Sequence, residues 1–283
     1  MLPFKQAVFD LLRPFLRDHV NIHKHLHFHG DFVVQVDKEH KFWIRHHGFE
    51  LENSLFWTGL ANGWEKTSIS LWIKLVSDAE VILDIGANTG VFALVARAMN
   101  EKAKIFAFEP IKRVFEKMEQ NVALNGYDIA CYEAAVSDSD GTAVVFDLPT
   151  EHIYSVTVNQ NLHEPGTAVI KTEVKTITLD TFVEEQKVSR IDLIKIDVET
   201  HEPQVLLGFK KYLAVHRPTM LIEVLNDDVG RRVEELVSEL DYLYFNIDEA
   251  TNSVRRVERI TKSDFYNYLI CDETVAARLS LAV

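Results

Sequence analysis

The chain has 283 residues, 47% hydrophobic and 26% charged, and 43 acidic against 30 basic side chains give a formal charge of -13. That composition excludes global disorder, and the length suits one large α/β domain with an appendage, or two small domains. The acidic balance argues against gripping nucleic acid, no apolar run is long enough for a membrane-spanning helix, and the first 30 residues lack the parts of a secretory signal. Two distant cysteines, Cys131 and Cys271, exclude a disulfide framework, so a reducing, cytoplasmic setting is expected.

In chain order, Phe9, Leu12, Phe15 and Leu16 recur at helical spacing, which predicts a short amphipathic helix interrupted near Pro14. Eight of the twelve histidines precede residue 48. His23, His25, His27 and His29 alternate, which on a strand sets all four on one face. Such a face is a metal patch or, the better reading without accompanying carboxylates, a solvated strand or loop. Residues 31–36 and 42–45 alternate about a polar turn at 37–40 and read as a hairpin. Residues 1–62 therefore form a small N-terminal lobe of mixed structure, and residues 63–283 form the main domain.

From residue 64 strands and helices alternate. Helix 65–77 leads to the apolar strand 81–85, then helix 91–100, strand 104–109 and helix 112–125, which ends on the cap pair Asn125-Gly126. Residues 129–136 are a third strand, and 142–146 and 173–177 are extended on either side of a polar insertion. Asp180 is placed to cap a short helix. Strand 191–197, helix 203–214, strand 219–224, helix 231–240 and strands 242–246 and 268–271 complete a doubly wound α/β sheet.

The chemistry begins at Asp84-Ile85-Gly86-Ala87-Asn88-Thr89-Gly90. A strand that runs through glycines into a helix brings backbone N–H groups and a positive helix end to a ligand. The spacing is G-x-x-x-G, which is neither the dinucleotide fingerprint nor a P-loop. Glu109 closes the next strand in Ala107-Phe108-Glu109-Pro110, where an acid accepts ribose hydroxyls. Together they favour an adenosine carrying a cationic amino-acid sulfonium, whose amino end Asp84 favours.

The run V-I-L-D-I-G-A-N-T-G-V-F (residues 81–92) and then F-E-P resemble the first two motifs of class I S-adenosylmethionine-dependent methyltransferases. The later I-D-L-I-K-I-D-V-E-T-H-E (residues 191–202), with Val205-Leu206-Leu207-Gly208 and the upstream Thr178-Leu179-Asp180, resembles the signature of FkbM-type methyltransferases. The resemblance covers residues 64–272, and departs from the family at Thr200, where glycine is usual. It implies a Rossmann-like, seven-stranded, mostly parallel sheet, to which the residue pattern adds the N-terminal α+β lobe and a β insertion after the third core strand. It also implies S-adenosylmethionine as cofactor: its methionine end against Asp84, Gly86, Ala87, Asn88, Gly90 and Phe92, its ribose on Glu109, its adenine near Ala135, Val136 and Ser137, with Asp138 on the adenine amine or merely in a solvated turn.

Asp197, Glu199, His201 and Glu202 cluster beyond the fourth core strand. Transfer to a hydroxyl requires alignment and removal of a proton. His201 is the expected general base, with Asp197 or Glu199 orienting it; the alternative is that His201 and Glu202 only cap the helix at Pro203. Lys195 is expected to pair with Asp197 inside the sheet. Mg²⁺ held by Asp197, Glu223 and the run Asn226-Asp227-Asp228 is possible but not favoured, and no metal ligand is assigned. The missing N/D-P-P-Y/F and Pro-Cys signatures disfavour N-methylation of adenine and C-methylation of cytosine. The expected acceptor is therefore a hydroxyl on a sugar or other small molecule, not nucleic acid and not a membrane; oligomeric state is unreadable. Residues 56–64, rich in aromatics, are a wall of the acceptor pocket or the interface between lobe and core. The insertion at 147–171, with Tyr154, Ser155 and His163, is a possible lid. The competing readings are an inactive cofactor-binding module of the same fold, favoured only by Thr200, and a nicotinamide-dependent oxidoreductase, which the glycine spacing disfavours.

Overall fold

The computed structural model describes residues 5–147, 157–158 and 170–282. The N-terminal part contains helices α1 (Lys5–Leu16) and α2 (Val20–His23), the hairpin strands β1 (Gly30–Gln35) and β2 (Lys41–His46), and helix α3 (Glu50–Thr58). The hairpin forms as the alternation requires: β1 and β2 pair antiparallel, with Phe32, Val34, Phe42 and Ile44 inward. The histidines do not form a strand. His23 ends α2, buried and stacked on Trp57, whereas His25 and His29 are exposed and His27 reaches back to the Lys24 carbonyl at 2.7 Å. A helical turn at 20–23 takes precedence over the period-two pattern, so the four imidazoles share no face.

The core follows with α4 (Lys66–Val76), β3 (Val81–Ile85), α5 (Val91–Met99), β4 (Lys104–Phe108), α6 (Lys112–Asn125) and β5 (Ala130–Tyr132). Next come β6 (Ala135–Val136), β7 (Gly141–Asp147), β8 (Thr157–Val158), β9 (Ile170–Ile177) and α7 (Leu179–Gln186). The chain is completed by β10 (Leu193–Ile196), α8 (Glu202–Leu207), α9 (Lys210–His216), β11 (Thr219–Glu223), α10 (Asp227–Val237), β12 (Leu243–Asp248), β13 (Ser253–Val257), β14 (Asn267–Cys271) and α11 (Glu273–Arg278).

The main sheet has the order β13-β12-β14-β11-β10-β3-β4-β5. Strands β11, β10, β3, β4 and β5 run parallel, β14 enters antiparallel between β11 and β12, and β13 adds an edge by hairpin to β12. This is the expected Rossmann-like seven-stranded sheet with one further edge strand. Strands β3 and β10 are wholly buried, which is why their sequences are unbroken apolar runs apart from Asp84 and Lys195. Strand order reverses between β3 and β10, the place where open α/β sheets open a ligand crevice.

The third strand is shorter than expected. It stops at Tyr132, and Ala135–Val136 leaves to join β9 in a second sheet of order β6-β9-β7-β8. That sheet is the insertion; Tyr154, Ser155 and His163 lie outside the described residues. Two caps also move. Thr178, not Asp180, caps α7 by accepting from the Thr181 amide at 3.1 Å. Asp180 instead accepts from the Lys211 and Tyr212 amides at the start of α9, where exposed N–H groups favour an anion. Helix α10 starts at Asp227, earlier than expected, because Asn226 caps it with a 3.0 Å bond from the Val229 amide.

The N-terminal part shares one apolar core with α4, α5 and α6, and Phe9, Phe28, Phe56 and Trp57 belong to the same cluster as Trp72, Phe92 and Met118. The Arg45 amide donates to Asn121 Oδ1 at 2.9 Å, and Asn121 Nδ2 donates to the Thr89 carbonyl at 2.9 Å, tying the hairpin through α6 to the glycine turn. Among the described residues no helix is long and apolar enough to cross a membrane.

Candidate active site

A cleft opens at the carboxyl ends of β3, β4 and β10. Its floor is the turn after β3. Gly86 has φ +78, and a Cβ on it would overlap the Asp197 carbonyl, so only glycine lets β3 and the turn after β10 approach so closely. Gly90, at φ +88, caps α5 in the left-handed region. The turn's own donors are partly used: the Gly86 and Ala87 amides both bind the Phe108 carbonyl, at 3.0 and 2.9 Å. Asn88, itself at φ 52, donates its amide to Glu109 Oε2 at 3.1 Å, while Glu109 Oε1 accepts from the Ile111 amide at 2.9 Å. The acid expected to hold ribose is thus locked beside the turn at the end of β4, buried yet lining the cleft.

Asp84 also faces the cleft. Its Oδ2 accepts from the Ala93 amide at 2.9 Å, and burial pushes the carboxyl up to about 6 despite the nearby Lys195. A cation placed beside Asp84 would restore its charge. Phe92, Ala135 and Val136 line the cleft as expected, but Ser137 does not. Ser137 is buried behind that wall, where its hydroxyl lies 2.9 Å from His201 Nε2 and donates to Asp138 Oδ1 at 3.3 Å.

The opposite wall carries the residues beyond β10. Lys195, 2% exposed, puts its ammonium 2.8 Å from Asp197 Oδ2 and 4.6 Å from the centre of the Phe92 ring. Burial alone would lower its pKa, but Asp197, Glu65 and Asp84 together raise it. The pairing expected of Lys195 is therefore present. Glu199 and Thr200 are both left-handed, at φ 54 and 77, which turns the chain sharply so that Glu199 and His201 both face the cleft. Burial, with Asp197 and Glu202 nearby, pushes Glu199 up to about 8, and burial pushes Glu202 to about 8. His201 is lowered to about 4 by burial, so its imidazole is neutral at neutral pH. Its hydrogen-bond partner is the Ser137 hydroxyl, not Asp197 or Glu199 as expected.

Glu65 and Glu223 complete this wall, and one carboxylate oxygen from each lies within 4.8 Å of one from Asp197. Glu65 is held by a 2.9 Å bond from Asn267 Nδ2 and pushed up to about 7 by burial; burial and neighbouring acids raise Glu223 as well. Asp227 and Asp228 lie elsewhere: Asp227 accepts from the Lys262 amide and Asp228 pairs with Arg231. Of the aromatic segment, Phe56 and Trp57 are wholly buried between lobe and core, and Trp64 lines the cleft edge-to-face with Phe92 at 5.9 Å. The expected packing between lobe and core is present at Phe56 and Trp57, and Trp64 lines the cleft.

Residues 84–246 match the family model described as the methyltransferase FkbM domain. The chain belongs to the FkbM methyltransferase family. It is 29% identical over 153 residues to the hexuronic acid methyltransferase AglP of Haloferax volcanii, covering 53% of this chain and 58% of that protein. It is 30% identical over 180 residues to the 2-O-methyltransferase NoeI of Sinorhizobium fredii, covering 56% of this chain and 71% of that protein. A solved FkbM methyltransferase from Methylobacillus flagellatus superposes with a TM-score of 0.42 at 14% identity, over 68% of this chain and 43% of that one. The chain thus spans about three-fifths of the length of AglP.

The family match runs from Asp84 past Glu223 and so contains both ends of the cleft. Trp64 and Glu65 precede it; the aromatic run 56–64 signalled Trp64, but nothing signalled Glu65. A lone acid before a helix carries no pattern, and only the fold brings it opposite Asp197. The usual family glycine at position 200 also has a physical reason: φ 77 suits glycine and strains threonine.

Proposed function

We propose that this chain is an S-adenosylmethionine-dependent methyltransferase that methylates a hydroxyl oxygen on a sugar or another small metabolite in the cytoplasm. The observation that carries this reading is one cleft with two unlike ends. One end has the glycine turn, Asp84 and Glu109; the other has Asp197, Glu199 and His201. The cofactor fits the first end: Asp84, raised by burial, favours a cationic amino group, Glu109 accepts ribose hydroxyls, and Ala135 and Val136 offer an apolar surface for adenine. When bound, S-adenosylmethionine supplies a methyl group activated on a positively charged sulfur. The names of AglP and NoeI, one a hexuronic acid methyltransferase and the other a 2-O-methyltransferase, support an oxygen acceptor of sugar type.

The chain's own groups have three tasks. The turn and Glu109 hold the donor, Trp64 and Phe92 exclude water, and His201 takes the acceptor's proton. His201 is neutral at neutral pH and keeps Nε2 on Ser137, which leaves Nδ1 for the acceptor. Ser137, not a carboxylate, is the positioning residue for that ring. The test is transfer of a labelled methyl group to a panel of sugars, uronic acids and hydroxylated metabolites. A hydroxyl acceptor is expected, with kcat lowered at least about a hundredfold in His201→Ala. Wild-type activity in His201→Ala would remove His201 from the reaction, and transfer only to amines would overturn the oxygen acceptor.

A further inference from the structure

We infer that Glu65, Asp197 and Glu223 form a binding site for one divalent metal ion at the reaction end of the cleft. The three acids come from three places: the residue before α4, the turn after β10 and the end of β11. Each offers an oxygen within 4.8 Å of the other two. Around a hard cation, opposite oxygens stand about 4.2 Å apart for Mg²⁺ and about 5 Å for Ca²⁺, and neighbouring ones closer, so the three acids would draw in around an ion.

A cluster of acids alone does not call for an ion; the atoms beside it do. Asn267 is 5% exposed, faces Glu223 directly across the β11–β14 ladder, and donates Nδ2 to Glu65, so its amide stands beside both acids. Among the described residues its Oδ1 has no hydrogen-bond partner, and neither does Glu65 Oε2 or Glu223 Oε2, though all three atoms are shut off from solvent. Three hard oxygen acceptors without a donor, gathered at one place, are what a hard cation satisfies and what a folded protein otherwise avoids. The Lys195 ammonium gives its bond to Asp197 Oδ2. A divalent ion would bind by displacing the protons that burial favours on Glu65 and Glu223.

The ion's role rests on the methyl-transfer reading; its binding does not. An ion there would face the acceptor, and it suits a substrate that presents two neighbouring oxygens, such as a vicinal diol or a hydroxy acid.

The test uses the full-length, cofactor-free protein and Mn²⁺, followed by calorimetry and electron paramagnetic resonance, with S-adenosylmethionine binding measured separately. One saturable Mn²⁺ per chain is expected, with affinity at least tenfold lower in Glu65→Gln and in Glu223→Gln. In Asp227→Asn, outside the cluster, it should be unchanged. Circular dichroism verifies that the variants fold, and the single-charge Asn267→Asp variant, which adds a ligand, should bind Mn²⁺ more tightly. Absence of saturable binding, equal affinity in both Gln variants, or equal loss in Asp227→Asn would overturn the site. Loss of S-adenosylmethionine binding with Mn²⁺ binding intact in the Gln variants would also overturn it, by assigning the acids to the cofactor.

Discussion

Glu52 is the most exposed to a decisive test, although it is wholly hidden from solvent. It lies on α3, at 0% exposure, and among the described residues neither carboxyl oxygen has a hydrogen-bond partner within bonding geometry. Burial pushes it up to about 7 from an ordinary 4.5; Thr89 and Lys117 stand near enough to offset only part of that. Each tenfold step in proton affinity is worth about 1.4 kcal/mol, so charging Glu52 inside the fold costs about 3 kcal/mol. The sign follows from which state loses its proton first. Below pH 4.5 both folded and unfolded chains hold the proton and the residue is silent. Between 4.5 and 7 the unfolded chain ionises first, so stability falls as pH rises, and above 7 the whole cost is present. Glu52→Gln keeps the shape and removes the charge. Urea unfolding followed by tryptophan fluorescence should show the variant more stable than wild type by about 3 kcal/mol at pH 8.5 and by under about 1 kcal/mol at pH 5. Equal stability at pH 8.5, or the same gain at both pH values, would refute the reasoning.

Thr200→Gly should raise stability by about 1 kcal/mol, since it relieves a β-branched residue at φ 77, and thermal unfolding reads this directly; a loss would mean the side chain has a contact that matters. Gly86→Ala should cost about 3 kcal/mol or more, because its Cβ overlaps the Asp197 carbonyl and forces β3 and β10 apart, and cofactor binding should fall with it. Because His201 titrates near 4, kcat/KM should vary little with pH from about 6 to 8 if His201 is the base; a limb centred near 6.5 would show a ring in ordinary surroundings. Ser137→Ala should lower kcat about tenfold with little change in KM, the sign of a positioning residue.

Much of this was legible from local pattern. Strands β3, β4, β10 and β11 are apolar runs with sharp polar ends, and their order alone implies a doubly wound sheet. Asp84, Gly86, Asn88 and Glu109 were readable because a turn between a strand and a helix confines them locally. Lys195 lies on β10 and Asp197 one residue past its end, so their pairing followed from the period of two. Contacts that depend on tertiary approach were not legible. Ser137 meets His201 across 64 residues, and Glu65 meets Asn267 across 202. Asp180 looked like a cap for its own helix, yet the fold sets it against another. At His25 and His29 the alternating histidines lie in a solvated loop, as the preferred reading has it. A period of two is meaningful only if the backbone is extended, however, and His23 ends a helical turn.

The central claim, that the turn and Glu109 hold S-adenosylmethionine, is tested most directly by calorimetry of wild type and Glu109→Ala with S-adenosylmethionine and with NAD. One S-adenosylmethionine per chain is expected, weakened at least tenfold in Glu109→Ala by the loss of its ribose contacts, with no binding of NAD. Binding of NAD without S-adenosylmethionine, or full affinity for S-adenosylmethionine in a folded Glu109→Ala, would contradict it.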